Sequence, residues 1–132
     1  MTQPNPVLAS PTPLWQRELA EAVKDPAELV KLLELGEEWL TPAQRAAEAL
    51  PLRAPRSYIA RMRRSDPFDP LLRQVLPLAE ELVEVPGYGA DPVGDLAAGR
   101  GGGVLHKYHG RVLLVATGAC AIHCRYCFRR HY

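Results

Sequence analysis

Residues 111–127 read RVLLVATGACAIHCRYC, so three cysteines follow closely behind an apolar segment. The run Val112–Ala116 is apolar at every position, which is typical of a strand buried on both faces, such as a central or barrel strand. Gly118 allows the backbone to turn tightly just ahead of the first cysteine. The pattern predicts a strand that leads directly into a cysteine-bearing loop.

All cysteines of the chain, Cys120, Cys124 and Cys127, lie in this loop with the spacing C-x3-C-x2-C. An odd, tightly clustered set without an export signal argues against a disulfide framework and for a metal or catalytic site. Three thiolates can bind one inorganic centre and leave one coordination position open, as a catalytic iron–sulfur cluster requires. The spacing therefore favours an iron–sulfur site. The alternatives are buried cysteines without a ligand and a small zinc-stabilised binding module that recruits His123 or His131.

Basic charge concentrates around the cysteines. Residues 104–132 contain five Lys and Arg and no acidic residue, whereas residues 1–103 contain 11 basic and 15 acidic residues. We expect Arg125, Arg129 and Arg130 to offset the negative charge of thiolates and sulfides and to favour deprotonated cysteines.

Repeated capping signals predict a helical layer ahead of this region. Trp15 and Trp39 lie at helical spacing with leucines and are expected in the core. The predicted helices open at Thr12-Pro13, at Asp25-Pro26 (ending at Gly36), at the Thr41-x-x-Gln44 capping box (ending at Pro51), at Arg56 (to Arg64) and at Asp69-Pro70 (ending at Pro77, with a kinked continuation over Leu78–Val83).

The chain is therefore predicted to be an α/β protein in which a helical layer precedes strands. Val104–Tyr108 and Arg111–Thr117 read as two strands joined by a turn at His109-Gly110. A strand that is apolar on both faces needs neighbours and covering helices, so we expect the chain to be the front of a larger protein. The predicted organisation is a flexible lead-in (1–11), a helical region (12–85), a Gly/Pro-rich linker (86–103) and the first strands with the cysteine loop (104–132).

Length and composition are those of an ordinary globular chain with a single compact domain. The 132 residues carry a formal charge of +1, with 47% hydrophobic and 23% charged residues. Near-neutral charge removes the simplest case for a nucleic-acid binder, and no apolar run approaches the length of a membrane span. The first residues lack the basic start and apolar core of a secretion signal, so we expect a cytoplasmic protein.

The C-x3-C-x2-C spacing with an aromatic residue before the last cysteine resembles the radical S-adenosylmethionine (SAM) enzymes. Three longer segments resemble the lysine 2,3-aminomutase family within that group: Gly103–Tyr108, Arg111–Leu114 and Cys120–Arg130. Residues 124–132 are most similar to the branch of the family that acts in the modification of elongation factor P (EF-P). Leu71–Pro77 and Asp91-Pro92 add to the resemblance, which spans most of residues 60–132.

The resemblance implies an isomerase that converts lysine to β-lysine, which is later attached to EF-P. It implies a partial (β/α) barrel that carries a 4Fe–4S cluster, SAM and pyridoxal 5′-phosphate (PLP), and a reductant such as flavodoxin or ferredoxin. No membrane and no nucleic-acid partner is expected. The PLP-binding lysine of such enzymes would lie beyond Tyr132, so the 132-residue chain alone is not expected to complete a turnover.

The resemblance also implies roles for individual residues. The three cysteines match the cluster ligands, and Tyr126 matches the aromatic position near the SAM adenine. Arg129 matches a position associated with the substrate carboxylate, which suits the fork of a guanidinium group. Tyr108 and Arg111 match positions in the vicinity of PLP.

Overall fold

A layer of short helices precedes one β-hairpin in the computed structural model, which describes residues 13–89 and 91–127. The predicted α/β class is confirmed at this level. None of the described helices has the length and apolar character needed to cross a membrane. The elements are α1 (Leu14–Ala20), α2 (Pro26–Leu32), a 3-10 turn (Glu37–Trp39), α3 (Leu40–Ala49), α4 (Arg56–Ile59), α5 (Leu72–Val75), a second 3-10 turn (Ala79–Leu82), β1 (Val104–Tyr108) and β2 (Arg111–Leu114).

Helix α2 begins as its sequence predicts. The Asp25 carboxylate accepts a hydrogen bond of 2.9 Å from the backbone N–H of Ala27, and Pro26 occupies the first helical position. Proline is well suited there because its missing N–H would have no partner within the helix. The side chain of Asp25 thus satisfies one of the backbone donors that the helix start leaves open.

The end of α2 differs from the prediction. The helix ends at Leu32 and not at Gly36, because Glu34 takes a left-handed conformation with φ of +53°. The backbone N–H of Leu35 then donates to the carbonyl of Val30 at 3.0 Å, the long-range bond of a Schellman motif. A non-glycine residue therefore provides the helix stop, which a search for glycine misses.

The predicted capping box of Thr41 and Gln44 is wrong. The first 3-10 turn runs directly into α3, so Leu40 is already helical and Thr41 lies inside the helix without capping it. The other end of α3 agrees with the sequence, since the helix ends at Ala49, just before Pro51.

Asp69 organises the chain between α4 and α5. The helix predicted over residues 56–64 forms only its first turn, and the following loop folds back onto the Asp69 carboxylate. This carboxylate accepts hydrogen bonds from the backbone N–H groups of Leu71 (2.9 Å), Leu72 (3.0 Å) and Arg63 (3.2 Å). Asp69 is only 3% exposed, and these contacts satisfy a buried charge while they cap α5.

The hydrophobic core lies within the helical layer. Val23 and Ala54 join the first and middle parts of the layer through two mutual backbone hydrogen bonds of 2.9 Å. Trp39 packs against the core as predicted, but Trp15 does not, because it is 61% exposed on α1. The buried cluster comprises Val23, Leu29, Leu33, Ala43, Leu52, Ala54, Ile59, Met62, Leu72, Val75, Leu76 and Leu78.

Strands β1 and β2 form the predicted antiparallel hairpin. Val104 pairs with Leu114, and Gly110 takes a φ of +74° in the turn. The second strand ends at Leu114, three residues short of the predicted Thr117. Within the described residues, β2 pairs only with β1, and its side chains are exposed on both faces.

The Gly-rich segment before β1 is held by its own side chains and by the hairpin. The Asp91 carboxylate accepts 2.8 Å hydrogen bonds from the backbone N–H groups of Asp95 and Leu96. Gly103 has a φ of +76°, and its carbonyl accepts a 2.8 Å hydrogen bond from the N–H of Val115. These contacts fix the approach of the chain to β1 and to the residues after β2.

We predict that Asp69→Asn destabilises the protein by about 1–3 kcal/mol at neutral pH, because an amide cannot replace a carboxylate that accepts several N–H groups. Burial opposes ionisation of Asp69, but the hydrogen bonds it accepts outweigh burial and hold its pKa below the ordinary value. The stabilisation is therefore present above pH of about 4 and is lost as the pH falls through the lowered folded-state pKa. Urea unfolding of both proteins across this range measures the difference.

The matched control is Asp66→Asn, since Asp66 is more exposed and also pairs with Arg63, but among the described residues it accepts one backbone hydrogen bond, from nearby Phe68. We expect a smaller loss in this variant. Equal losses in the two variants, or a loss at Asp69 that is independent of pH, would contradict the account.

We predict that Gly103→Ala loosens the start of the hairpin. A Cβ atom at this residue would lie 2.6 Å from the carbonyl oxygen of Val115, in addition to the cost of a positive φ. Gly101→Ala is the matched control, because Gly101 has a φ of +82° but open space around the added carbon. Amide hydrogen exchange at Val115 should accelerate more in Gly103→Ala than in Gly101→Ala, and the reverse order would refute the steric explanation.

Candidate functional site

The cysteine loop, residues 120–127, has no regular secondary structure and lies against the helical layer. Ile122 is its apolar anchor, since this side chain packs against the buried core cluster. The hydroxyl of Thr117 accepts a 3.0 Å hydrogen bond from the backbone N–H of Ala119, which shapes the approach to the loop. The loop therefore takes its position from residues far earlier in the chain.

His123 binds the segment that follows α3. Its backbone N–H donates to the carbonyl of Arg53 at 2.9 Å, and its ring Nδ1 lies 3.0 Å from the carbonyl oxygen of Pro51. A carbonyl only accepts, so this contact assigns the ring proton to Nδ1. His123 thus acts as a structural contact of the loop in this structure. His131, the other histidine of the zinc alternative, lies outside the described residues.

Arg125 binds the segment around α5. Its backbone N–H donates to the carbonyl of Gln74 at 2.9 Å, and its Nη1 donates to the carbonyl of Arg73 at 2.8 Å. Its Nε forms an ion pair with the carboxylate of Glu81, and the two side chains are 21% and 18% exposed. In the structure the Arg125 guanidinium group pairs with Glu81, and the predicted offset of charge at the thiols stays a prediction. Arg129 and Arg130 lie outside the described residues.

The three thiols suit an iron–sulfur cluster in chemistry but are not gathered around one point. Cys120, Cys124 and Cys127 are all half-buried, and the N–H of Cys127 donates to the carbonyl of Cys124 at 3.2 Å. Across residues 13–89 and 91–127, no three Cys, His, Asp or Glu side chains form a group that could hold a metal ion. The donor types fit the cluster, whereas their arrangement in this structure does not yet form a ligand set.

Tyr58 is a neighbour of the loop that the sequence did not reveal. It packs against the core, and its hydroxyl donates to the carbonyl of Leu71 at 3.3 Å. Burial raises the pKa of Tyr58, and the ionisable groups of Cys124 and Tyr126 raise it further. The tyrosine therefore stays protonated near neutral pH, and it lies within electrostatic range of Cys124 in the cysteine loop.

Tyr126 is 75% exposed and lies at an open groove with a volume of about 1300 Å³. The groove runs between the cysteine loop, α5 and the chain that follows the second 3-10 turn. The position of Tyr126 at this groove leaves its ring accessible to a ligand. The groove is lined by Leu50, Arg73, Glu80–Gly89, Arg125 and Tyr126.

Tyr108 and Arg111 are brought together at the turn of the hairpin. They are cross-strand partners, and the guanidinium carbon of Arg111 lies 4.7 Å from the centre of the Tyr108 ring. Lys107, beside them on β1, forms a 3.1 Å ion pair with Asp95. The hydrogen bond to Asp95 raises the pKa of Lys107. Arg129, the remaining predicted site residue, lies outside the described residues.

No protein-family model matches the chain. Individual curated proteins do match it. The chain is 48% identical over 119 residues to the L-lysine 2,3-aminomutase of Escherichia coli, a match that covers 89% of this chain and 34% of the relative. It is 38% identical over 118 residues to the protein of that name from Haemophilus influenzae, covering 89% and 35%.

A more distant match is the L-lysine 2,3-aminomutase of Bacillus subtilis, which is 30% identical over 119 residues, covering 90% of this chain and 25% of the relative. The chain thus spans about a third or less of the length of these relatives. The aligned region nevertheless covers 89% of this chain in both matches, so it includes most of the helical layer. By this similarity the chain belongs to the lysine 2,3-aminomutase family.

Proposed function

We propose that this chain supplies the cluster-binding part of a radical SAM lysine 2,3-aminomutase, an isomerase that moves the amino group of lysine from C2 to C3. The observation that carries the proposal is a loop with three half-buried thiols, docked on a helical layer, in a chain whose curated relatives are named lysine 2,3-aminomutases. The proposed substrate is lysine, and the proposed destination of β-lysine is EF-P.

The proposed cofactors are a 4Fe–4S cluster, SAM and PLP. The cluster, when bound, would supply the electron that opens radical chemistry on SAM, and a flavodoxin or ferredoxin would reduce it. Cys120, Cys124 and Cys127 would hold the cluster. Because metal binding and the folding of its site are coupled, we propose that assembly draws the three thiols together on a loop already anchored to the helical layer.

The remaining site residues would bind and orient the other components. Tyr126, exposed at the groove, would pack on the SAM adenine. Arg129 would bind the substrate carboxylate, which suits the paired donors of a guanidinium group. Tyr108 and Arg111, joined at the hairpin turn, would lie in the vicinity of PLP. The proposed fold of the whole is a partial (β/α) barrel that continues from β2.

The test is anaerobic reconstitution of the chain with iron and sulfide, followed by measurement of both elements. We expect bound iron and acid-labile sulfide in the parent chain and their loss in Cys124→Ala, since three thiolates are needed to hold the cluster. Ala119→Ser is the matched control, because it changes an exposed loop residue and leaves all three thiols. Unchanged iron in Cys124→Ala would overturn the proposal.

A second measurement on the same samples is electron paramagnetic resonance after reduction with dithionite. A cluster signal that changes when SAM is added would support both an open iron and a SAM contact in these residues. A signal that is indifferent to SAM would remove the proposed SAM contact of Tyr126 from this chain. One colourless zinc ion per chain, in place of iron and sulfide, would replace the proposal with the zinc-stabilised binding module.

A further inference from the structure

We propose that Arg125 is a positioning residue, which fixes the cysteine loop on the helical layer through Glu81. Arg125 lies between Cys124 and Cys127 in sequence, yet its side chain points to the chain around α5 and the second 3-10 turn. The claim that this docking assists cluster binding rests on the proposed function. The claim that Arg125 docks the loop rests on the contacts alone.

The contacts of Arg125 restrain both its backbone and its side chain. The backbone N–H donates to Gln74, while the guanidinium group contacts Glu81 and the carbonyl of Arg73. Because these partners occupy two successive elements, the residue ties the loop to α5 and to the turn after it at the same time. A displacement of Arg125 would also move Cys124, the preceding residue in the chain.

The environment distinguishes this ion pair from the others of the layer. Arg125 and Glu81 are 21% and 18% exposed, whereas Arg64 and Glu34, paired at 2.9 Å, are 70% and 59% exposed. Exposed pairs contribute little because water screens them and side-chain entropy opposes them. A partly buried pair with an added hydrogen bond to a carbonyl has a stronger charge-assisted interaction, so its loss should be measurable.

The loop is attached to the helical layer at two places. Arg125 makes the attachment that lies at the groove. His123 holds the loop to Arg53 and Pro51, and Ile122, the residue before it, packs against the core. If Arg125 is removed, the loop retains the contacts of His123 and Ile122. The expected consequence is therefore local opening around Cys124 and Cys127 and not unfolding of the helical layer.

The experiment uses the metal-free chain and compares Arg125→Ala, Glu81→Gln and the double variant. Hydrogen exchange at the amide of residue 125 and the rate of alkylation of each cysteine by iodoacetamide report the opening of the loop. We expect about a tenfold increase in both rates at residues 124–127 in Arg125→Ala, as for the loss of one charge-assisted contact. Core amides, such as that of Leu33, should exchange as in the parent chain.

The double variant and two further variants make the result specific. Because Arg125 and Glu81 act on each other, the double variant should open no more than Arg125→Ala, and additive effects would overturn the proposal. Arg125→Lys keeps the charge but loses the fork, so it should restore only part of the protection. Arg64→Ala, the matched exposed control, should leave cysteine alkylation unchanged. Equal alkylation in Arg125→Ala and Arg64→Ala would also overturn the proposal.

The outcome is independent of whether a cluster binds. If the parent chain takes up no iron but Arg125→Ala still opens the loop, the proposed function fails and the docking role stands. If the parent chain takes up iron and Arg125→Ala shows parental exchange and alkylation, the docking role fails and the proposed function stands. Slower iron uptake by Arg125→Ala in reconstitution, with all thiols present, would show that the docking of the loop assists cluster binding.

Discussion

The position of the candidate site depends on the attachment of an irregular loop to a helical layer. A loop of this kind has no hydrogen-bond ladder of its own, so its position must come from contacts with other elements. Here Ile122 packs on the core, His123 binds the carbonyl of Arg53, and Arg125 binds the carbonyl of Gln74. The helical layer is therefore the platform that determines where the three cysteines lie.

Local signals predicted much of the helical layer and failed where tertiary contacts decide. Asp25-Pro26 begins a helix as expected, because the cap is made by neighbours within two residues. Thr41 does not cap, since the preceding 3-10 turn runs into a helix that begins at Leu40, two residues before the start that the capping box predicts. Trp15 was predicted to be buried from its spacing, but α1 has no buried residue. Periodicity shows which residues share a face, and it does not show whether another element covers that face.

For the candidate site, the sequence predicted the donor types and missed their supports. The spacing of the three cysteines is readable because all donors lie within one loop. Glu81 and Tyr58 have no such signal, since they reach the loop only through folding; Glu81 is 44 residues from Arg125. Arg125 shows the same limit, because its place between two cysteines does not indicate that its guanidinium group pairs with the carboxylate of Glu81. Burial of an arginine favours a specific ion pair over diffuse compensation of nearby charge.

If the loop binds a cluster as proposed, its docking links that binding to the stability of the helical layer. Contacts at Arg53 and Gln74 belong to segments that contribute to the core, so a ligand that binds the docked loop stabilises those segments by mass action. The same linkage works in reverse. A layer that holds the loop in place lowers the cost in conformational entropy of ordering the loop when metal binds. The ion pair of Arg125 and Glu81 contributes to both effects, because it joins the loop to the layer. Under the proposed function, a helical layer that supplies none of the three cysteine ligands can in this way tune the affinity of the loop for the cluster.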